Sequence, residues 1–153
     1  MKDEHFEVFY ADVAGIYREI QRIRSAFSER LGIKSVQVFW IYLLKEHPEG
    51  MIASELAAAS ETNRSLVSRE LGDLLDQKLV CYEKSEGKNQ YARKLLLTAK
   101  GKEMAKRIDK IAMNIQMEVS KDISVKDMTT FYSVLSSLNT SFSELKEEEI
   151  KIK

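Results

Sequence analysis

Apolar residues recur at Phe6, Phe9, Val13, Ile16, Ile20, Ile23, Phe27 and Leu31, always three or four positions apart. This spacing places them on one side of a 3.6-residue helix, so it predicts a long amphipathic helix. Gly32 is placed to end that helix, because glycine tolerates the left-handed backbone of a helix terminus, and Ser35 offers a capping hydroxyl for the next. The next helix, 36–46, is apolar on nearly every side and belongs at the centre of a core. His47-Pro48-Glu49-Gly50 stops it, since proline has no N–H with which to continue the ladder. Ile52 to Ala59 then reads as a short helix and Ser60-Glu61-Thr62 as a turn with capping oxygens. Asn63 to Gln77 follows as a longer helix with Val67, Leu71, Leu74 and Leu75 inward. Two helices so closely joined suggest a helix-turn-helix.

Beyond Lys78 the period changes from helical to twofold. Leu79 to Lys84 and Tyr91 to Leu97 flank the polar Ser85-Glu86-Gly87-Lys88-Asn89-Gln90, the pattern of a β-hairpin. Thr98 caps a helix with Met104, Ile108, Ile111, Ile115 and Val119 on one side. A last helix, from Val125, carries Met128, Phe131, Val134, Leu135, Leu138, Phe142 and Leu145 before the charged stretch Glu147 to Lys153. A hairpin directly after a recognition helix makes the order that of a winged helix-turn-helix: mainly α with a small β-hairpin wing. In a single domain of residues 1–153, residues 34–99 form the winged lobe, and 4–31 with 100–146 form flanking helices. These helices carry more apolar stripe than so small a lobe can cover, which predicts a homodimer held by them. The competing reading is a monomeric bundle in which the three stripes pack only on one another.

Composition narrows this picture. With 44% hydrophobic and 31% charged residues, six Gly and one Pro, the chain is a folded, helix-rich domain rather than a linker. The longest apolar run, Val38 to Leu44, is far short of the roughly 20 residues that cross a bilayer, so no membrane span is expected. Met1-Lys2-Asp3-Glu4-His5 is charged and leads into no apolar leader, which suggests a cytoplasmic protein. One cysteine and two histidines leave no internal disulfide and no zinc-finger spacing, and neither metal nor cofactor is expected. A net charge of zero conceals an uneven distribution: residues 1–61 hold 7 Lys and Arg against 10 Asp and Glu, and residues 62–110 hold 12 against 7. A basic middle third is an electrostatic footprint for phosphates, although an ordinary solvated surface has the same composition.

The helix Asn63 to Gln77 leaves Asn63, Arg64, Ser65, Ser68, Arg69 and Gly72 on or beside the face opposite its apolar stripe. Arg forks to guanine O6 and N7, Asn pairs with adenine, and Ser bonds a base edge or a phosphate, so these are the candidate major-groove residues. For Arg69, at the edge of that face, a phosphate contact and an internal salt bridge compete with base contact. In the hairpin, Lys84, Lys88, Arg93 and Lys94 can reach phosphates or a narrow minor groove, or serve only to keep a strand edge from aggregating. Catalysis has no constellation to support it: His5 and His47 lack an evident nucleophile or orienting partner, and there is no glycine-rich phosphate loop. An enzyme is therefore not expected. Cys81 alternates with Val80 and Tyr82, which suggests a small buried core residue.

Three stretches at these separations, Ser54-Glu55-Leu56-Ala57, Ser65-Leu66-Val67-Ser68-Arg69 and Leu97-Thr98-Ala99-Lys100-Gly101, resemble the MarR family of bacterial transcriptional regulators. The likeness runs over essentially the whole length. It implies a homodimer on a pseudo-palindromic double-stranded operator, repressing or occasionally activating transcription, often answering to a small-molecule effector or oxidant. Relatives that sense peroxides keep a reactive cysteine near the first helix, unlike Cys81, and Glu46-His47 is a poor start for the metal site of others. The family wing usually carries an Asp and an Arg nine and seven residues before the threonine matched to Thr98, where this chain has Asn89 and Tyr91. Lys88 or Arg93 is expected to take the place of that arginine. Lys78 stands where the family has a glycine at the end of the recognition helix, and Leu66 replaces a hydroxyl. Tyr10, Tyr17, Phe39, Trp40 and Tyr42 lie on the first two helices, which in the family line an effector cleft, with plain core filling as the alternative. The substitutions at Asn89 and Tyr91 also motivate a different function, a winged-helix protein-interaction module without DNA binding.

Overall fold

The computed structural model describes residues 4–60, 63–84, 87, 89 and 92–146. Among them run α1 (Glu4–Leu31), α2 (Ser35–Glu46), α3 (Ala53–Ala59), α4 (Arg64–Asp76), β1 (Val80–Tyr82), β2 (Leu95–Leu97), α5 (Ala99–Val119) and α6 (Val125–Glu144). This is the expected order of a mainly helical, winged helix-turn-helix chain, with several local differences. Ser35 is the first residue of α2 and not its cap: Lys34 occupies that position, and the Gln37 side chain accepts the Lys34 backbone N–H at 2.8 Å. Glu55 does the same for α3, accepting from the Ile52 N–H at 2.9 Å. The carboxyl or amide one turn into the helix thus replaces the expected hydroxyl. Both strands are shorter than the alternation suggested. They pair antiparallel with Val80 opposite Leu97, Cys81 opposite Leu96 and Tyr82 opposite Leu95. Cys81 is exposed, not buried, because in this register Val80 takes the inward side.

The chain divides into two compact units, Met1–Ile111 and Ala112–Lys153. In the first, Trp40, Ile41, Leu56, Leu74, Leu79 and Leu95 are fully buried, so α2, α3, α4 and both strands share one core. Met104, Ala105 and Ile108 bring α5 onto it, and Leu31 brings the end of α1. The N-terminal part of α1 leaves Phe6, Val8, Tyr10, Val13, Ile16, Tyr17 and Ile20 exposed. In the second unit Ser124 caps α6, accepting the Asp127 N–H at 3.1 Å. No residue of α6 is buried: Met128 is half-buried, and Val125, Phe131, Tyr132, Val134, Leu135 and Leu138 are exposed.

Two close approaches fix how the wing joins the helices. Met51, just before α3, exchanges both backbone hydrogen bonds with Leu95, at 3.2 and 2.8 Å, adding a one-residue rung on the other side of β2. Gly50 lies against that rung at φ 83°, and a Cβ there would meet the Leu95 carbonyl oxygen at 2.8 Å. Gly101, in the first turn of α5, sits still closer to the chain it crosses, since a Cβ would fall 1.9 Å from the Leu79 carbonyl oxygen. Thr98 completes the junction: its Oγ1 donates to the Lys78 carbonyl at 2.6 Å and accepts the Gly101 N–H at 3.0 Å. Lys78 itself has φ 58°, the left-handed conformation for which glycine has no steric penalty.

These two positions should respond to opposite substitutions. Gly101→Ala forces a backbone collision and should lower unfolding free energy by about 3 kcal/mol. Lys78→Gly relieves a strained residue and should raise it by about 0.5 to 1 kcal/mol after the added freedom of the unfolded chain is subtracted. Urea denaturation at fixed protein concentration measures both, and an unchanged midpoint for Gly101→Ala would contradict the junction geometry.

Candidate nucleic-acid interface

The helix-turn-helix is held from behind by α2. The buried Trp40 indole N–H donates to the Ser60 hydroxyl at 3.0 Å, and that hydroxyl donates to the Leu56 carbonyl at 2.6 Å, so the turn begins at a fixed point. Trp40 is therefore core, whereas Tyr10 and Tyr17 are exposed on α1, and the Phe39 and Tyr42 rings stack at 6.4 Å. Asn63 caps α4: its Oδ1 accepts from the Leu66 N–H at 3.0 Å and the Ser65 hydroxyl at 2.8 Å. The oxygen that would pair with adenine is thus used to start the helix. With Val67, Leu71 and Leu74 buried, α4 turns Ser65, Ser68 and Arg69 to solvent, while Gly72 is half-buried. Arg64 is the first residue of α4, and its side chain lies outside the described residues.

Between α2 and α4 lies a charged cluster that the sequence reading did not single out. Glu70 is only 2% exposed, yet its carboxylate accepts from Lys34 Nζ at 2.8 Å, Gln37 Nε2 at 3.1 Å and Arg69 Nε at 3.1 Å. The buried Gln37 amide also donates to the Glu70 backbone carbonyl at 3.2 Å. Lys34 reaches Asp73 as well, at 2.8 Å. The hydrogen bond from Lys34 holds the Asp73 carboxyl below its ordinary value, and hydrogen bonds to Asp73 and then Glu70 hold the Lys34 ammonium above its own. The signal was present in the helical period: Glu70 lies three residues after Val67 and four before Leu74, on the inward stripe. A carboxylate there must find partners, and these are they.

In the wing, Arg93 donates from Nε and Nη2 to the Glu83 carbonyl at 3.2 and 2.6 Å, and its guanidinium lies 5.2 Å from the Tyr82 ring centre. It braces the hairpin against itself. Lys84 is exposed, Lys94 is half-buried, and Lys88 and Tyr91 lie outside the described residues. Lys100 donates to the Gln77 carbonyl at 2.8 Å, tying the end of α4 to the start of α5. A cavity of about 550 Å³ lies between α2, β2 and α5, lined by Leu44, Pro48, Leu96, Leu97 and Ala105 together with Lys45, Lys102, Lys106 and Asp109. Among the described residues no cluster of three or more His, Cys, Asp or Glu is placed to hold a metal, and no helix is long and apolar enough to cross a membrane.

No family model and no curated protein matches the sequence. Solved structures do match the fold. MarR of Staphylococcus aureus in complex with salicylate and kanamycin is similar with a TM-score of 0.80 at 18% identity, covering 94% of this chain and 96% of that one. The fold is that of the MarR regulators. A MarR transcriptional regulator from Methanosarcina mazei Go1 is similar at a TM-score of 0.78 and 18% identity, over 93% of this chain and 99% of that one. A further MarR family transcription regulator reaches 0.76 at 22% identity, over 92% and 93%. Within this MarR fold, the likeness spans both units and not the winged lobe alone.

The Lys34–Asp73 pair sets a pH expectation. Asp73, with its pKa lowered from 3.8, contributes stability above that value and loses it as pH falls through the folded-state pKa; Lys34, raised from 10.5, contributes below that value and loses it as pH rises further. The stability difference between the wild type and Asp73→Asn should therefore be level from about pH 5 to pH 9 and close in acid. Thermal unfolding across this range tests it, and a difference that grows on acidification contradicts the pairing.

Proposed function

We propose that this chain is a dimeric, sequence-specific DNA-binding transcriptional repressor of the MarR type, acting on a pseudo-palindromic operator. The observation that carries the reading is the solvent-facing side of α4, where Ser65, Ser68 and Arg69 stand outward from a helix whose other side is locked into the core. A short, rigidly seated helix with polar and cationic side chains is what the major groove accepts. With Asn63 at its cap and Arg64 in its first turn, the N-terminal end of α4 addresses the bases. The wing, through Lys88, Lys84 and a rearranged Arg93, addresses phosphate or the minor groove.

Dimerisation is supported by the open apolar faces of α1 and α6. Val125, 83% exposed, and Val134, 52% exposed, lie on a helix with no buried residue, which is poor chemistry for a solitary chain in water. A second copy covers these faces in the proposed assembly, with an obligate-type interface above about 2,000 Å². A small effector releases the repressor from DNA. The cavity between α2, β2 and α5 has a suitable size, and its lysines and apolar wall suit a molecule with an anionic group and an apolar body. Salicylate in the S. aureus MarR complex has that chemistry.

The test of DNA binding is a titration against a duplex library with a randomised core of about 20 base pairs at several salt concentrations. A steep fall of log affinity with log salt, together with enrichment of a two-fold symmetric sequence, is the expected result. Weak binding without enrichment would instead favour the protein-interaction module. On the enriched duplex, Arg64→Ala should cost about 1 to 3 kcal/mol and relax one base position. Lys88→Ala should weaken selected and random DNA alike and make the salt slope shallower by about one. Sedimentation tests the assembly: the wild type should run as a dimer at micromolar concentration, and Leu135→Glu or Leu138→Glu should dissociate or unfold it by placing a charge in an apolar contact.

A further inference from the structure

The geometry points to Glu70 as a positioning residue for Arg69, one that holds the arginine by Nε so that its two terminal nitrogens form the fork offered to a base. This inference rests on the DNA-binding reading above and adds to it the origin of base preference at one position. Arg69 is exposed, with 68% of its side chain open, and a free arginine there would sample many rotamers. Its Nε–H is instead bound at 3.1 Å to a carboxylate that is 98% buried and cannot swing away, because Lys34 and Gln37 grip the same group. Lys34 balances the buried negative charge from the protein side, so Arg69 need not turn inward to do so. Among the described residues no hydrogen bond takes the Nη1/Nη2 edge, whose planar spacing matches guanine O6 and N7.

Glu70→Gln distinguishes positioning from bulk electrostatics by its sign. An amide has one accepting oxygen, and the buried Gln37 amide and Lys34 both need it, so the NH₂ group is left facing Arg69 and releases it. Removing a negative charge near DNA raises affinity for any duplex by general attraction. If Glu70 orients Arg69, affinity for the selected duplex should nevertheless fall roughly five- to tenfold, the lower end of what a lost bidentate contact costs, while random duplex binds equally well or better.

The experiment is a double-mutant cycle on the full-length protein, with the duplex enriched by the wild type from the randomised library as probe and random duplex as reference. In the Arg69→Ala background the Glu70→Gln loss on the selected duplex should vanish, leaving at most the small rise that random duplex shows. A loss that persists there would show that Glu70 acts only through the seating of α4, and an equal rise on both duplexes would show charge alone; either overturns the inference. If Glu70→Gln does not fold, Arg69→Lys leaves the core untouched and keeps the charge but lacks the fork. It should lose base preference at one position with a wild-type melting curve, and retention of that preference overturns the inference equally. Failure of the wild type to enrich any duplex would retire the DNA-binding reading and this inference with it, and is recognised before any variant is compared.

Discussion

The junction at Leu79 governs the rest of the molecule. There the end of α4, the start of β1 and the first turn of α5 meet within contact distance, with Gly101 so near the Leu79 carbonyl that no Cβ fits between them. Thr98 and Lys100 each serve two elements at once, satisfying carbonyls left open at the end of α4 while beginning α5. The start of α5 is thereby fixed relative to α4 by hydrogen bonds and a steric stop, not by side-chain packing alone. The hairpin starts from the same residues, so the wing inherits its position from this corner. The left-handed Lys78 is the strain such a corner tolerates because the surrounding bonds over-determine it.

A second constraint acts on the other side of α4. Buried ion pairs are weak sources of net stability, since desolvation offsets much of the attraction. Glu70 is better understood by what it specifies. An apolar residue at this site could pack against α2 in several slightly different ways, whereas a carboxylate that must satisfy Gln37 and Lys34 together admits a narrow range of positions for α4. Gln37 simultaneously completes the start of α2 through the Lys34 N–H, so the register of α2 and the placement of α4 are decided by one side chain.

The fold was largely legible in the sequence because helix periodicity is a local property, and the stripes from Phe6 to Leu31 and from Val125 to Leu145 are long enough to average out noise. The end of α1 at Gly32 and the Thr98 cap followed from capping chemistry, whereas Asn63, read as the first residue of its helix behind a Ser60-Glu61-Thr62 turn that would supply the cap, is itself the cap. What escaped was non-local. The Met51–Leu95 rung joins residues far apart in the chain, and the burial of Val80 in preference to Cys81 depends on register against β2. In the candidate site, Ser65, Ser68 and Arg69 were readable as outward positions. The engagement of Arg93 with Glu83 was not, because two residues ten apart in a hairpin meet only once the strands pair. Glu70 was overlooked for a different reason: a charged residue on an apolar stripe is easily assigned to the solvent edge, and only its partners reveal otherwise.

The division of exposed apolar surface follows from the same architecture. The core of the winged lobe is closed within one unit, where Leu31 from the end of α1 and Met104, Ala105 and Ile108 from the first half of α5 are buried together with Trp40, Leu56, Leu74 and Leu95. In contrast, α6 and the first half of α1 are amphipathic helices on which Val125, Val134 and Leu138 and, on α1, Val8, Val13 and Ile16 are exposed. A helix gains most of its stability in a protein from packing of such a face, so on the dimer reading these segments are ordered by association. Their stability then depends on protein concentration, while that of the winged lobe does not. On the proposed dimeric, DNA-binding reading, two tasks separate along the chain: the lobe would set what one copy reads, and the flanking helices the spacing at which two copies read it.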